Sequence, residues 1–160
     1  MGERCAGPQS LQYRCMAAAQ LYDRDFFEWI HCNAPLLRAG RFDQADIEHI
    51  AEELEDMGKG ERRGLESRVE VLLLHLLKWQ LQPNRRSAGW RNTIKLQRMR
   101  IARRLKESPS LKPVLSANLA EAYQAGRLMA LRETGLLEAS FPSSCPFTLA
   151  QLLDSEFLPE

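Results

Sequence analysis

The stretch Val71-Leu72-Leu73-Leu74-His75-Leu76-Leu77 presents apolar side chains in every direction if it is helical. It is far shorter than the ~20 apolar residues a membrane span requires. A helix without a polar face has to be enclosed by other helices. The rest of the chain must therefore supply a bundle around residues 61–82, the helix predicted between Glu61 and Pro83.

The flanking segments provide it. Asp23 is placed to cap a helix carrying Phe26, Phe27, Trp29 and Ile30, interrupted or kinked near Pro35 and finished by Gly40. Asp43 opens a second helix, with Ile47, Ile50, Ala51 and Leu54 at i, i+3, i+4, i+7 spacing and Gly58 and Gly60 ending it. Trp90, Ile94, Ile101 and Leu105 form the stripe of a fourth, over 88–107. Ser108-Pro109 reads as a cap followed by a first-turn proline, opening a fifth helix to about Glu133. Beyond Gly135 the chain is punctuated by prolines, with one short helix after Thr148. No run alternates in the manner of a strand. The predicted fold is all-α: a bundle of four to five main helices over residues 21–160, a short C-terminal helix and a loose tail over residues 1–20. Met16 offers an alternative start, so residues 1–15 read as an over-extended N-terminus.

Charge excludes several function classes. Twenty-two basic and 21 acidic residues leave a net charge of +1, which argues against a histone-like polycation or an acidic tail. With 44% hydrophobic residues the chain can build a core. Cys5, Cys15, Cys32 and Cys145 lack metal-ligand or redox spacing and point to a reduced cytoplasm. No signal-peptide core is present, and no membrane segment is expected.

Three constellations could carry chemistry. The second helix holds Asp43, Asp46, Glu48, Glu52, Glu53, Glu55 and Asp56 without a lysine or arginine among them. His49, Glu52, Glu53 and Asp56 share one face there, the residue types a divalent metal would need, although only Asp46-x-x-His49 approximates a di-iron element. The bland alternative is a solvated acidic face, and no metal or cofactor is expected. The basic stretch 85–106 is the mirror image, with Arg91, Lys95 and Arg98 on one face beside Trp90, able to track phosphates or to pair with the acidic helix. His75 and Lys78 interrupt the most apolar helix. They need hydrogen-bonding and charged partners such as Glu53, either as a structural lock between helices or as a small proton-transfer site. Phosphate loops, dinucleotide fingerprints, nucleophile elbows and H-E-x-x-H are absent from the sequence.

A resemblance covers Leu21 to Pro159. Arg24-Asp25-Phe26-Phe27-Glu28-Trp29, Leu36-Leu37-Arg38-Ala39-Gly40-Arg41-Phe42-Asp43, Glu52-Glu53-Leu54-Glu55-Asp56-Met57-Gly58, Glu61-Arg62-Arg63 and His75-Leu76-Leu77-Lys78-Trp79 are followed by Trp90, Gln97-Arg98, Ser108-Pro109-Ser110-Leu111, Glu133-Thr134-Gly135-Leu136, Cys145-Pro146, Gln151-Leu152-Leu153-Asp154 and Phe157-Leu158-Pro159. In this order the chain resembles the bacterial family labelled "domain of unknown function 29". Leu96 departs from the acidic residue that pattern has before Gln97-Arg98. The resemblance implies a helical cytosolic protein and no particular activity. The leading expectation is a protein that acts by contact, with itself or another protein. The alternatives are a nucleic-acid-associated role through the basic helix, or a small enzyme using His75, Lys78 and Glu53.

Overall fold

The computed structural model describes residues 18–160, and most of the expected N-terminal tail, with Cys5, Cys15 and Met16, lies outside them. Among the described residues seven α-helices follow in order: α1 (Ala18–Tyr22), α2 (Phe26–Arg38), α3 (Ile47–Leu81), α4 (Ala88–Glu107), α5 (Leu111–Ala117), α6 (Leu119–Thr134) and α7 (Leu149–Leu153). Among the described residues there is no strand. Two compact units divide the chain, one ending at Gly58 and one running from Lys59 to Glu160.

In the first unit α2 is capped by Asp25, not Asp23: its carboxylate accepts from the Glu28 amide at 3.0 Å. Pro35 lies inside α2 without ending it. The stop comes at Gly40, whose φ of +69° permits Arg41 N to reach Leu36 O at 2.9 Å. That left-handed turn costs glycine little. The next helix begins at Ile47, so Asp43 is not its cap.

The main correction concerns α3. Gly58 and Gly60 do not end a helix, and one 35-residue helix replaces the two that were expected. Neither glycine has a positive φ, and a Cβ at either would meet nothing within 4 Å. The sequence signal misled because an exposed glycine weakens a helix by only ~1 kcal/mol, which the flanking turns of Glu, Leu, Met, Lys and Arg outweigh. Gly58→Ala and Gly60→Ala should each therefore raise stability by up to ~1 kcal/mol with unchanged far-UV dichroism. A lower urea midpoint would mean that these glycines serve as stops.

The second unit is the bundle. Leu65, Val69, Leu72, Leu73, Leu76 and Leu77 of α3 are at most 1% exposed, as the apolar run requires. Ile94 and Ile101 of α4, Leu115 of α5 and Ala122, Tyr123 and Ala130 of α6 close around them. Ser108 terminates α4 and makes no capping bond to the next helix, so its expected role as a cap is withdrawn. The single helix expected from Pro109 is divided at Asn118, whose side chain donates to Glu66 Oε1 at 2.8 Å. The tail packs inward: Phe141 and Phe147 are buried, and α7 opens on a Thr148–Gln151 capping box. No helix of the described residues is long and apolar enough to cross a membrane.

Candidate functional site

The densest polar arrangement lies in the first unit, where the turn before α3 meets α2. Asp46 is its centre. Its Oδ2 accepts from Trp29 Nε1 at 3.0 Å and from His49 Nδ1 at 2.8 Å, while its backbone amide donates to Asn33 Oδ1 at 2.8 Å. Asn33, itself buried, anchors back to Trp29 O at 2.9 Å. The His49 ring stacks on Tyr22 with centroids 4.1 Å apart, and Tyr22 donates to Glu53 Oε1 at 2.6 Å. The residues around the start of α3 thus tie α1, α2 and α3 together through side-chain and main-chain bonds.

The electrostatics follow from those bonds. Burial alone would raise the Asp46 carboxyl, but the bonds from Trp29 and His49 outweigh it and hold the group below the usual carboxylate range. His49 is pushed up, chiefly by its bond to Asp46. The Tyr22 hydroxyl is pushed up to about 12 by its bond to the Glu53 carboxylate, with burial assisting. With Nδ1 committed to Asp46, His49 keeps Nε2 as the atom that can exchange a proton.

The sign of the pH effect is fixed by these directions. A histidine whose folded pKa lies above its unfolded one stabilises the fold below the unfolded value of ~6.5 and ceases to do so as pH rises through the folded value. Asp46 acts oppositely, losing its contribution as pH falls through its lowered folded pKa from the ordinary ~3.8–3.9. An NMR titration of the His49 ring should give an apparent pKa above 6.5, returning toward that value in Asp46→Asn. An unshifted His49 in the native chain would contradict the Asp46 bond.

These contacts redistribute the acidic-face candidates. His49, Glu52, Glu53 and Asp56 are not gathered as a metal site: His49 is turned to Asp46 and Glu53 to Tyr22. Among the described residues no group of three or more His, Cys, Asp or Glu side chains is arranged to hold a metal ion.

His75 and Lys78 are in the second unit, and Glu53 is not their partner. Because α3 is continuous, the acidic segment and the His75 segment are successive parts of one helix rather than two helices side by side. Lys78 Nζ donates instead to Glu133 Oε2 of α6 at 2.6 Å and sits 4.7 Å from the centre of the Trp90 ring. The bond from Lys78 pulls the Glu133 carboxyl down, with the neighbouring charge of His75 contributing. His75 Nδ1 is satisfied by Val71 O at 2.8 Å, one turn back. The lysine is 12% exposed and its carboxylate 41%, so this pin between α3, α4 and α6 is half open to water and weaker than a buried pair.

The basic face is divided in a way that sequence did not indicate. Arg98 is 4% exposed, and its guanidinium donates to Leu152 O at 3.0 Å, Gln151 O at 3.2 Å and Ser155 O at 3.4 Å. It is a strap on the C-terminal end of α7, not a phosphate contact. Arg91 lies over the Trp79 ring at 5.4 Å. Arg91 and Lys95 are both exposed, and only Arg98 of the three is buried. Arg104 pairs with Glu61 of α3, beyond the acidic segment 43–56 that was one candidate partner for the basic stretch.

An open apolar groove completes the first unit. It encloses about 160 Å³ between α2 and α3, with Ile30, Ala34 and Leu37 on one wall and Ile50 and Leu54 on the other.

The family model described as "Domain of unknown function DUF29" matches residues 21–158, which include every side chain named in these clusters. The chain belongs to the DUF29 family. Comparison with curated proteins and with solved structures found no match. For this DUF29 chain, then, function has to be argued from the surface it presents. Sequence reasoning missed Tyr22, Trp29 and Asn33 as parts of the Asp46 network, and the Asp46-x-x-His49 spacing was its only visible signal. It also missed Glu133, which lies 55 positions from Lys78 and is connected to it only by the fold.

Proposed function

We propose that this protein works by contact in a reducing cytoplasm, and that its first unit is a self-association surface taking a second copy of the chain. The observation that carries the reading is the concentration of large apolar side chains left in water there: Phe27 is 71% exposed, Met57 66% and Leu54 63%, with Phe26, Ile30, Phe42 and Ile47 also open. A helical hairpin this small cannot close a core of its own, and Trp29, Asn33 and Leu36 are its only buried side chains within α2. Exposed apolar patches of this kind mark contact surfaces.

A second copy suits the patch because ridge and groove belong to the same unit. In a two-fold arrangement Met57 and the groove-edge Leu54 of each copy meet the α2/α3 groove of the other, which makes a four-helix contact from two hairpins. The same elements carry exposed charges of both signs, Arg38 at the end of α2 and Arg41 just beyond it, Glu52, Glu55 and Asp56 on α3, so an isologous contact can be complementary in charge as well.

Sedimentation equilibrium tests this. The native chain should be a dimer at micromolar concentration, and Leu54→Glu with Met57→Glu should be a monomer with native far-UV dichroism. A monomeric native chain at sub-millimolar concentration would overturn the proposal.

A further inference from the structure

A second groove lies wholly within the 59–160 unit and does not depend on the self-association above. α4 places Lys95, Met99, Ala102 and Lys106 at i, i+4, i+7 and i+11, one face of the helix. Met99 is 61% exposed, and Leu153 of α7 forms the opposite wall. The strap from Arg98 to the α7 carbonyls is the floor, so the cleft between α4 and α7 is fixed by a bonded guanidinium. It encloses about 180 Å³ and is predominantly apolar.

That volume is below the ~300–1,000 Å³ of small-molecule sites. It suits one large aliphatic or aromatic side chain. Lys95 and Lys106 bracket it, eleven residues or roughly 16 Å apart along the axis. No acidic residue occurs between Asn84 and Lys106. An apolar socket between two exposed lysines is complementary to an amphipathic helix with an apolar anchor at its centre and a carboxylate about three turns apart on each side.

We infer that the α4/α7 cleft is a docking site for an acidic amphipathic helix of a partner protein. Nucleic acid fits the same residues less well. Met99, Ala102 and Leu153 offer nothing to a phosphate, the Arg98 guanidinium is committed to main-chain carbonyls, and Lys78 already lies over Trp90.

The test is fluorescence anisotropy with a labelled four-turn helical peptide carrying a central leucine and a glutamate near each end, against the full chain. Binding should weaken by about tenfold or more in Met99→Glu, whose side chain is already in water and whose fold is therefore kept. It should weaken similarly in Lys95→Glu with Lys106→Glu, and recover in that double variant when the peptide glutamates become lysines. Leu54→Glu with Met57→Glu should leave it unchanged, which separates this site from the self-association surface. Two results would overturn the assignment: equal binding of the peptide by native and Met99→Glu chains, or tighter, steeply salt-dependent binding of a single-stranded oligonucleotide that competes at Lys95.

Discussion

Arg98→Ala should cost about 3–5 kcal/mol of stability, the range for breaking a buried charged arrangement by removing one side. Three main-chain carbonyls, of Gln151, Leu152 and Ser155, lose a charged donor at once. Each such bond contributes ~1.5–3 kcal/mol, and water entering at the exposed Ser155 end recovers part of the loss. Burial depresses the guanidinium pKa while the charges of Asp154 and Glu156 work the other way, so the cation is compensated where it sits. Arg98→Lys should fall between, because an ammonium cannot serve three diverging acceptors with the same fork. Lys95→Glu, three residues earlier, should change stability by no more than ~0.5 kcal/mol. Urea midpoints at unchanged slope separate these cases. An Arg98→Ala midpoint equal to that of Lys95→Glu would show that the strap carries no load.

The second large effect is expected at Gly126 in α6. A Cβ built there lies 2.9 Å from Glu70 O and 3.0 Å from Leu73 Cβ, both on α3. The first of these is backbone and cannot swing aside. At an open helical site glycine to alanine gains ~1 kcal/mol, the outcome expected at Gly58 and Gly60. At Gly126 the overlap reverses the sign: Gly126→Ala should lose ~1–3 kcal/mol, and the bulkier Gly126→Val about 3 kcal/mol. Thermal melts of the three alanine variants compare the same chemical change in two environments. A stabilised Gly126→Ala would mean that α3 and α6 are not in close approach there.

What was legible in the sequence was the part governed by periodicity. The stripe of α4, the short helix opened at Thr148 and the enclosed run from Val71 to Leu77 all rest on local spacing, and the structure has each of them. Two decisions that local spacing cannot make came out differently. Gly58 and Gly60 are stop signals only where the chain leaves the helix, which depends on φ, and here it does not. Arg98 resembles Arg91 and Lys95 on a helical wheel, yet the return of the C-terminal tail buries it and leaves Lys95 outside. The aromatic ends show the same limit: Phe141 and Phe147 are core and Phe27 is surface, although all three are phenylalanines in mixed sequence. Candidate sites suffered most, because the partners of Asp46, Lys78 and Arg98 come from other elements.

The central claim, that one copy of this chain docks on another through α2 and the first turns of α3, is tested most directly by isotope-filtered NMR on a mixture of labelled and unlabelled chains. Intermolecular contacts should appear between the Leu54 and Met57 methyl groups of one copy and the Ile30, Ala34 and Leu37 groups of the other, and vanish in Leu54→Glu with Met57→Glu. A mixture that shows no intermolecular contact at these methyl groups, while the intramolecular ones remain, would contradict it.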